Sequence, residues 1–172
     1  MKKHQIIKSY LDTLGINEVK TIDDIQKLIK AHVSTFAFSS LKVLLEDEIS
    51  LDLENIYKSL VVEKRGGYCF EHNKLMYEVL KELGFDVEFY LARVVNNLDN
   101  EVPQTHRFTL LNYDGEKYLI DVGIGFRSPS VPIKFREETT ISHLGIKYKI
   151  EKFDDNTFSM QLMEKNQLHL RI

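Results

Sequence analysis

A single cysteine stands among 172 residues, and its neighbours are arranged for reaction: Arg65-Gly66-Gly67-Tyr68-Cys69-Phe70-Glu71-His72-Asn73. Glycine takes positive φ without a Cβ penalty, so Gly66-Gly67 reads as a sharp turn delivering the chain into a helix. Phe70, Asn73, Leu75, Met76, Val79, Leu80 and Leu83 follow at helical spacing, with Gly84 as the left-handed stop. Cys69 then occupies the first turn, where unpaired N–H groups and the positive end of the helix dipole favour an anion. A free thiol titrates near ~8.5, and such a position moves the balance toward the reactive thiolate. A buried cysteine is ordinarily just a small hydrophobe. One behind a double glycine at a helix start is read as a nucleophile.

A thiolate nucleophile needs a base within hydrogen-bond reach, and the base needs an orienting partner. Both are found in the pattern His106 to Tyr113, Asp114-Gly115, Lys117 to Val122, which predicts a β-hairpin because Asp-Gly suits the primed turns. Folding about that turn places positions summing to about 229 opposite one another. His106 therefore falls close across the ladder from Asp121, and the two side chains can meet on one face. His72 lies too close behind Cys69 on the same helix and shows no orienting acid. His32 sits on an apolar helical face and reads as a core histidine. Arg65 and Glu71 read as an ion pair with each other or with a helix end.

The elements that must position these residues divide the chain. His4 to Leu14 predicts a helix stopped by Gly15, and Thr21-Ile22-Asp23-Asp24 a capping-box start to a second carrying Ile25, Leu28, Ile29 and Val33. Phe36 to Leu41 is irregular, and Asp52 caps a helix from Leu53 to Val62. The cysteine helix completes a helical subdomain over 1–84. Strands are expected from Phe85 to Val95, in the hairpin, and over Val131 to Phe135, Gly145 to Phe153 and Thr157 to Met163. Asn96 to Thr105 is a polar loop, and Asp154-Asp155-Asn156 makes the last turn. The strands predict a second, β-barrel subdomain over 85–172, so the fold class is α+β: a helical bundle followed by an antiparallel barrel.

Composition narrows the function. A net charge of −3 and pI near 6.1 provide no basic field for nucleic acid or anionic lipid. No apolar run approaches the roughly 18 residues of a membrane span. One cysteine forms no intrachain disulfide and fits a reducing, cytoplasmic setting. No CxxC, HExxH or His-carboxylate cluster supports a metal. Gly123-Ile124-Gly125 has two of the three dinucleotide-binding glycines and no helix behind it.

At the nine-residue cysteine word the sequence resembles the arylamine N-acetyltransferases. Leu83-Gly84-Phe85, Ala92-Arg93-Val94, His106-Arg107 and Tyr118-Leu119-Ile120-Asp121-Val122-Gly123-Ile124-Gly125 agree with that family in order and spacing. The resemblance implies a cysteine-protease-like core with a triad of Cys69, His106 and Asp121. It implies acetyl-CoA as donor and an arylamine, arylhydroxylamine or hydrazine as acceptor, in a ping-pong reaction through acetyl-Cys69. Phe36, Phe38, Val94 and Phe126 match positions near the family's acceptor pocket, and Gly123 and Gly125 its close approach to CoA. Family members continue into a third, α/β region that lids the site. This sequence ends at Ile172, about where the barrel should end, so weaker CoA binding and self-association through an uncovered barrel face are expected. The same residues fit two further functions: a thiol hydrolase of activated esters or amides, or an idle assembly module.

Overall fold

The computed structural model describes residues 1–45, 49–95, 102–142, 145–152, 157–164 and 167–171. Its first half is helical: α1 (Lys3–Leu14), α2 (Ile22–Thr35), the short α3 (Leu41–Leu44), α4 (Leu53–Tyr57) and α5 (Cys69–Glu82). The capping box of α2 forms, with the Asp24 N–H donating to Thr21 Oγ1 and the Thr21 N–H to Asp24 Oδ2, each at 3.2 Å. The helix expected to run unbroken from Leu53 to Val62 instead passes at Lys58–Val62 into a π-helical turn. In that wider turn the buried Ser59 hydroxyl meets Lys42 of α3 at 2.9 Å. Among the described residues, no helix is long and apolar enough to cross a membrane.

The second half is β: β1 (Asp86–Ala92), β2 (His106–Tyr113), β3 (Glu116–Ile120), β4 (Ile133–Lys134), β5 (Thr139–Ile141), β6 (Lys147–Lys152), β7 (Phe158–Glu164) and β8 (Gln167–Arg171). The hairpin forms on the expected register, Thr109 opposite Ile120 and Leu111 opposite Tyr118. Asp114 and Gly115 both take positive φ, 52° and 77°, as a primed turn demands. The expected closed barrel is replaced by two antiparallel sheets, ordered β1-β2-β3-β4 and β5-β6-β7-β8. The physical break is β4. Only Ile133 and Lys134 pair with β3, and the chain then bends through Arg136 to Glu138 before β5 starts a new ladder. The turn read at Asp154-Asp155-Asn156 and positions 96–101 of the polar loop lie outside the described residues.

Alternation along β3 shows how the layers stack. Ile120 joins a core made with α1, α2, α4 and α5, including Tyr10, Leu28, Ile29, Leu60, Leu75 and Leu80. Leu119, one residue away, joins a second core with Ile133, Tyr148, Ile150, Met160 and Leu162. The first sheet is thus sandwiched between the helices and the second sheet. Cys69 enters from the helical side and His106 and Asp121 from the ends of hairpin strands, so the site lies where these layers meet.

Candidate active site

Cys69 is the first residue of α5 and is 3% exposed. The turn before it has no freedom to vary. Gly66 has φ 75°, and a Cβ there would lie 2.7 Å from the Ala37 carbonyl oxygen, so only glycine fits. The turn is also stitched sideways: the Gly67 N–H donates to Ala37 O at 3.1 Å and the Ser39 N–H to Gly67 O at 2.8 Å. Glu71 fastens the helix start by accepting the Tyr68 N–H at 2.9 Å, the reach-back half of a capping box. Its other oxygen takes the Lys42 ammonium at 2.9 Å. Of the two pairings the sequence offered, Arg65 with Glu71 does not form, and Glu71 instead binds a helix end. Past Lys64, a left-handed residue at φ 53°, Arg65 is turned into water against Glu63, whereas Glu71 is 2% exposed and held from α3.

His106 opens β2, and Asp121 follows the last residue of β3. Both are buried, with His106 Nε2 and Asp121 Oδ2 2.6 Å apart. With Nε2 taken by Asp121, Nδ1 is the ring nitrogen left over, and Cys69 interacts favourably with the charged form of the same imidazole. Burial alone favours a neutral ring. The charge and hydrogen bond of Asp121, with the Cys69 contact, outweigh it and push His106 up to about 10. The Cys69 Sγ also approaches the Thr105 carbonyl oxygen at 3.5 Å.

Asn73 is the residue that sequence reading missed, treating it as one more member of the helical stripe. It is fully buried and joins all three elements of the site. Its Nδ2 donates to Arg107 O at 2.6 Å and to Asp121 Oδ1 at 2.9 Å, while its Oδ1 accepts the Val122 N–H at 3.0 Å. The Gly123 N–H adds a second donor to Asp121 Oδ1 at 2.9 Å, so Oδ2 is the oxygen left for His106. An amide among Leu75, Met76 and Val79 was the available signal, since a buried amide demands partners.

Beside this cluster lies a pocket of about 510 Å³ lined by Val33, Phe36, Ala37, Phe38, Val122, Ile124, Gly125 and Phe126. Phe36, Phe38 and Phe126 therefore line the same pocket, and Val122 connects it to Asp121. Val94 is not among the lining residues; it packs on the second core with Phe108 and Ile124. Gly125, at φ 73°, faces the Phe38 ring. Gly123 faces protein instead: a Cβ there would lie 2.9 Å from Cys69 Cα and 2.5 Å from Asn73 Nδ2. Its smallness lets the strand end lie against the first turn of α5.

A family model described as N-acetyltransferase matches residues 21–170. This chain belongs to the arylamine N-acetyltransferase family. The arylamine N-acetyltransferase of Escherichia coli is 43% identical over 114 residues, 66% of this chain and 41% of the relative. Among solved structures, the enzyme of that name from Salmonella typhimurium superposes with a TM-score of 0.88 at 28% identity, covering 96% of this chain and 61% of the other. The Mycobacterium marinum family member in complex with CoA superposes with a TM-score of 0.86 at 30% identity, covering 96% and 63%. The chain thus spans about half the length of the curated relatives it matches.

Proposed function

We propose that the chain carries the acetyl-transfer centre of an arylamine N-acetyltransferase, moving acetyl from acetyl-CoA to an arylamine, arylhydroxylamine or hydrazine through acetyl-Cys69. The observation that carries this reading is the buried imidazole of His106, held by Asp121 at 2.6 Å and made easier to charge by Cys69 at the start of α5. The imidazolium favoured by Asp121 stabilises negative charge on the sulfur beside it. The Cys69 thiolate attacks the thioester carbonyl, and CoA leaves as a thiolate that takes the His106 proton. The backbone N–H of Cys69, at the first turn of α5 where helix N–H groups lack intrahelical partners, would serve as a donor to the oxyanion. The neutral imidazole then accepts a proton from the attacking amine while the thiolate is expelled.

Aromatic amines are neutral at physiological pH, and the Phe36, Phe38 and Phe126 rings suit a flat acceptor. Gly125 lines the same pocket and is the point where CoA would approach the backbone. The CoA complex of the Mycobacterium marinum relative supports the donor. The test is intact mass after incubation with acetyl-CoA, with Cys69→Ala beside it. One acetyl adduct that requires Cys69 and disappears on adding an arylamine is expected. An adduct formed only from a small activated acetyl ester, and cleared by water at the same rate with or without amine, would replace this reading by a thiol hydrolase.

A further inference from the structure

Behind the aromatic wall of the pocket runs a chain of buried polar groups that the acetyl-transfer chemistry does not use. Tyr10 Oη of α1 and His32 Nδ1 of α2 are 2.9 Å apart, His32 Nε2 and His72 Nδ1 of α5 are 2.8 Å apart, and His72 Nε2 meets Ala37 O at 3.2 Å. Tyr10, His32 and His72 are all essentially inaccessible to water. The proton order along this chain is forced. A carbonyl only accepts, so His72 Nε2 carries hydrogen and donates to Ala37 O. If the ring is neutral, its Nδ1 must accept from His32 Nε2–H. His32 Nδ1 then accepts from the Tyr10 hydroxyl. Every donor is used, in one direction, and the chain ends on the pocket wall.

That end point matters because Ala37 lies between Phe36 and Phe38, and its carbonyl also takes the Gly67 N–H that stitches the wall to the cysteine turn. The rings reinforce the placement: Phe36 packs edge-on to His32 with centroids 5.2 Å apart, and Phe38 stacks on His72 at 6.3 Å. We infer that Tyr10, His32 and His72 form a positioning relay that sets the Phe36–Phe38 wall of the acceptor pocket, and that acid breaks it by protonating the histidine pair. This rests on the acceptor-pocket reading above.

A second proton on His72 would set two N–H groups against one another at the His32 contact. It could be accommodated only by moving the His32 proton from Nε2 to Nδ1, so that the Tyr10 hydroxyl accepts and its own hydrogen is left unpartnered in an apolar core. Burial holds both histidines below their ordinary value, most strongly His32, which also feels His72. The groups facing the pair are Tyr10, the Lys42-paired carboxylate of Glu71, and Asp121. The two carboxylates favour charge on His72, but desolvation outweighs them. The relay is therefore intact above the ordinary imidazole range and is lost as pH falls below it.

Two variants test this, His72→Phe and His72→Gln. Phenylalanine keeps a flat ring and removes both hydrogen bonds. Glutamine keeps a donor for Ala37 O and does not titrate. Two readouts are taken: hydrogen exchange at the Gly67 and Ser39 amides, which needs no catalysis, and the acceptor KM set against the single-turnover rate of Cys69 acetylation. In His72→Phe, faster exchange at both amides and an acceptor KM about tenfold higher are expected, with acetylation within about twofold. In the wild type the acceptor KM is flat above about pH 6.5 and rises as pH falls below it, measured with an amine too weakly basic to titrate there. In His72→Gln it stays flat. Unchanged exchange and KM in His72→Phe, or a wild-type acid limb in His72→Gln, would overturn the relay. If His72→Phe fails to fold, the glutamine pH comparison decides alone. Changed exchange in a protein that never acetylates would sink the transferase reading and leave the relay standing.

Discussion

Asn73 shows how one uncharged side chain can govern a charged site. It occupies one oxygen of Asp121 and so decides which oxygen His106 meets, while tying the ends of β2 and β3 to α5. Asn73→Ala leaves Arg107 O, the Val122 N–H and one side of Asp121 Oδ1 short of partners in a buried site. A loss of about 2–4 kcal/mol in stability is expected, measured by urea unfolding. Acetylation of Cys69 should slow by more than the folded fraction explains, because Asp121 is freed to turn; a variant that loses stability but acetylates at the wild-type rate would remove Asn73 from the site. Asp121→Asn should bring His106 back toward its ordinary range and cut Cys69 alkylation at neutral pH by about tenfold or more. Cys69, His106 and Asp121 were legible because a glycine turn and hairpin arithmetic locate them. Asn73 was not, because its partners come from elements that a helical period does not reveal.

At the scale of elements, the start of α5 depends on α3, a helix of four residues whose leucine and valine side chains are largely exposed. Lys42 explains why it is held in place: its ammonium is the cation for Glu71, and Glu71 caps the helix that begins with Cys69. Lys42→Met strands a buried carboxylate. A lysine this close to the surface makes the expected loss about 2 kcal/mol, below the full cost of breaking a deeply buried pair. Lys42→Met with Glu71→Gln should recover most of it, since the amide needs no counter-charge. Thermal melts of the two single variants and the double variant give the coupling directly, and simple additivity would mean that the two residues act independently. The sequence offered Glu71 either Arg65 or a helix end as its partner. It could not show that Lys42, met by Ser59 of the π-helical turn over Lys58–Val62, is the cation for Glu71. Helix types and the hairpin register follow from local periodicity. The break after β4 does not, because strand composition says that a strand forms and leaves open which strand it joins.

At the scale of the whole molecule, the three histidines buried among the described residues divide into two groups with opposite demands. His32 and His72 are buried as neutral rings between the helices, and His106 is buried as a cation beside Asp121 where the first sheet meets α5. For His32 and His72 the folded-state value lies below the unfolded value of 6.5, so the stability they contribute is fully present above it and is lost as pH falls. For His106 the folded-state value, about 10, lies above 6.5, so its contribution is fully present below 6.5 and is lost as pH rises toward 10. Neither group is at a disadvantage only near the unfolded imidazole value, and the melting temperature should therefore peak at about pH 6 to 7. The limbs are separable. Asp121→Asn should flatten the alkaline one and leave the acid one, whereas His72→Gln should relieve part of the acid one and leave the alkaline one. Carboxylates also contribute to acid unfolding, so the decisive comparison is the slope between about pH 5 and about pH 6.5, where His72→Gln and the wild type should diverge. Parallel slopes there would mean that His72 takes up no proton on unfolding, and that the core is built around a histidine pair already charged in the fold.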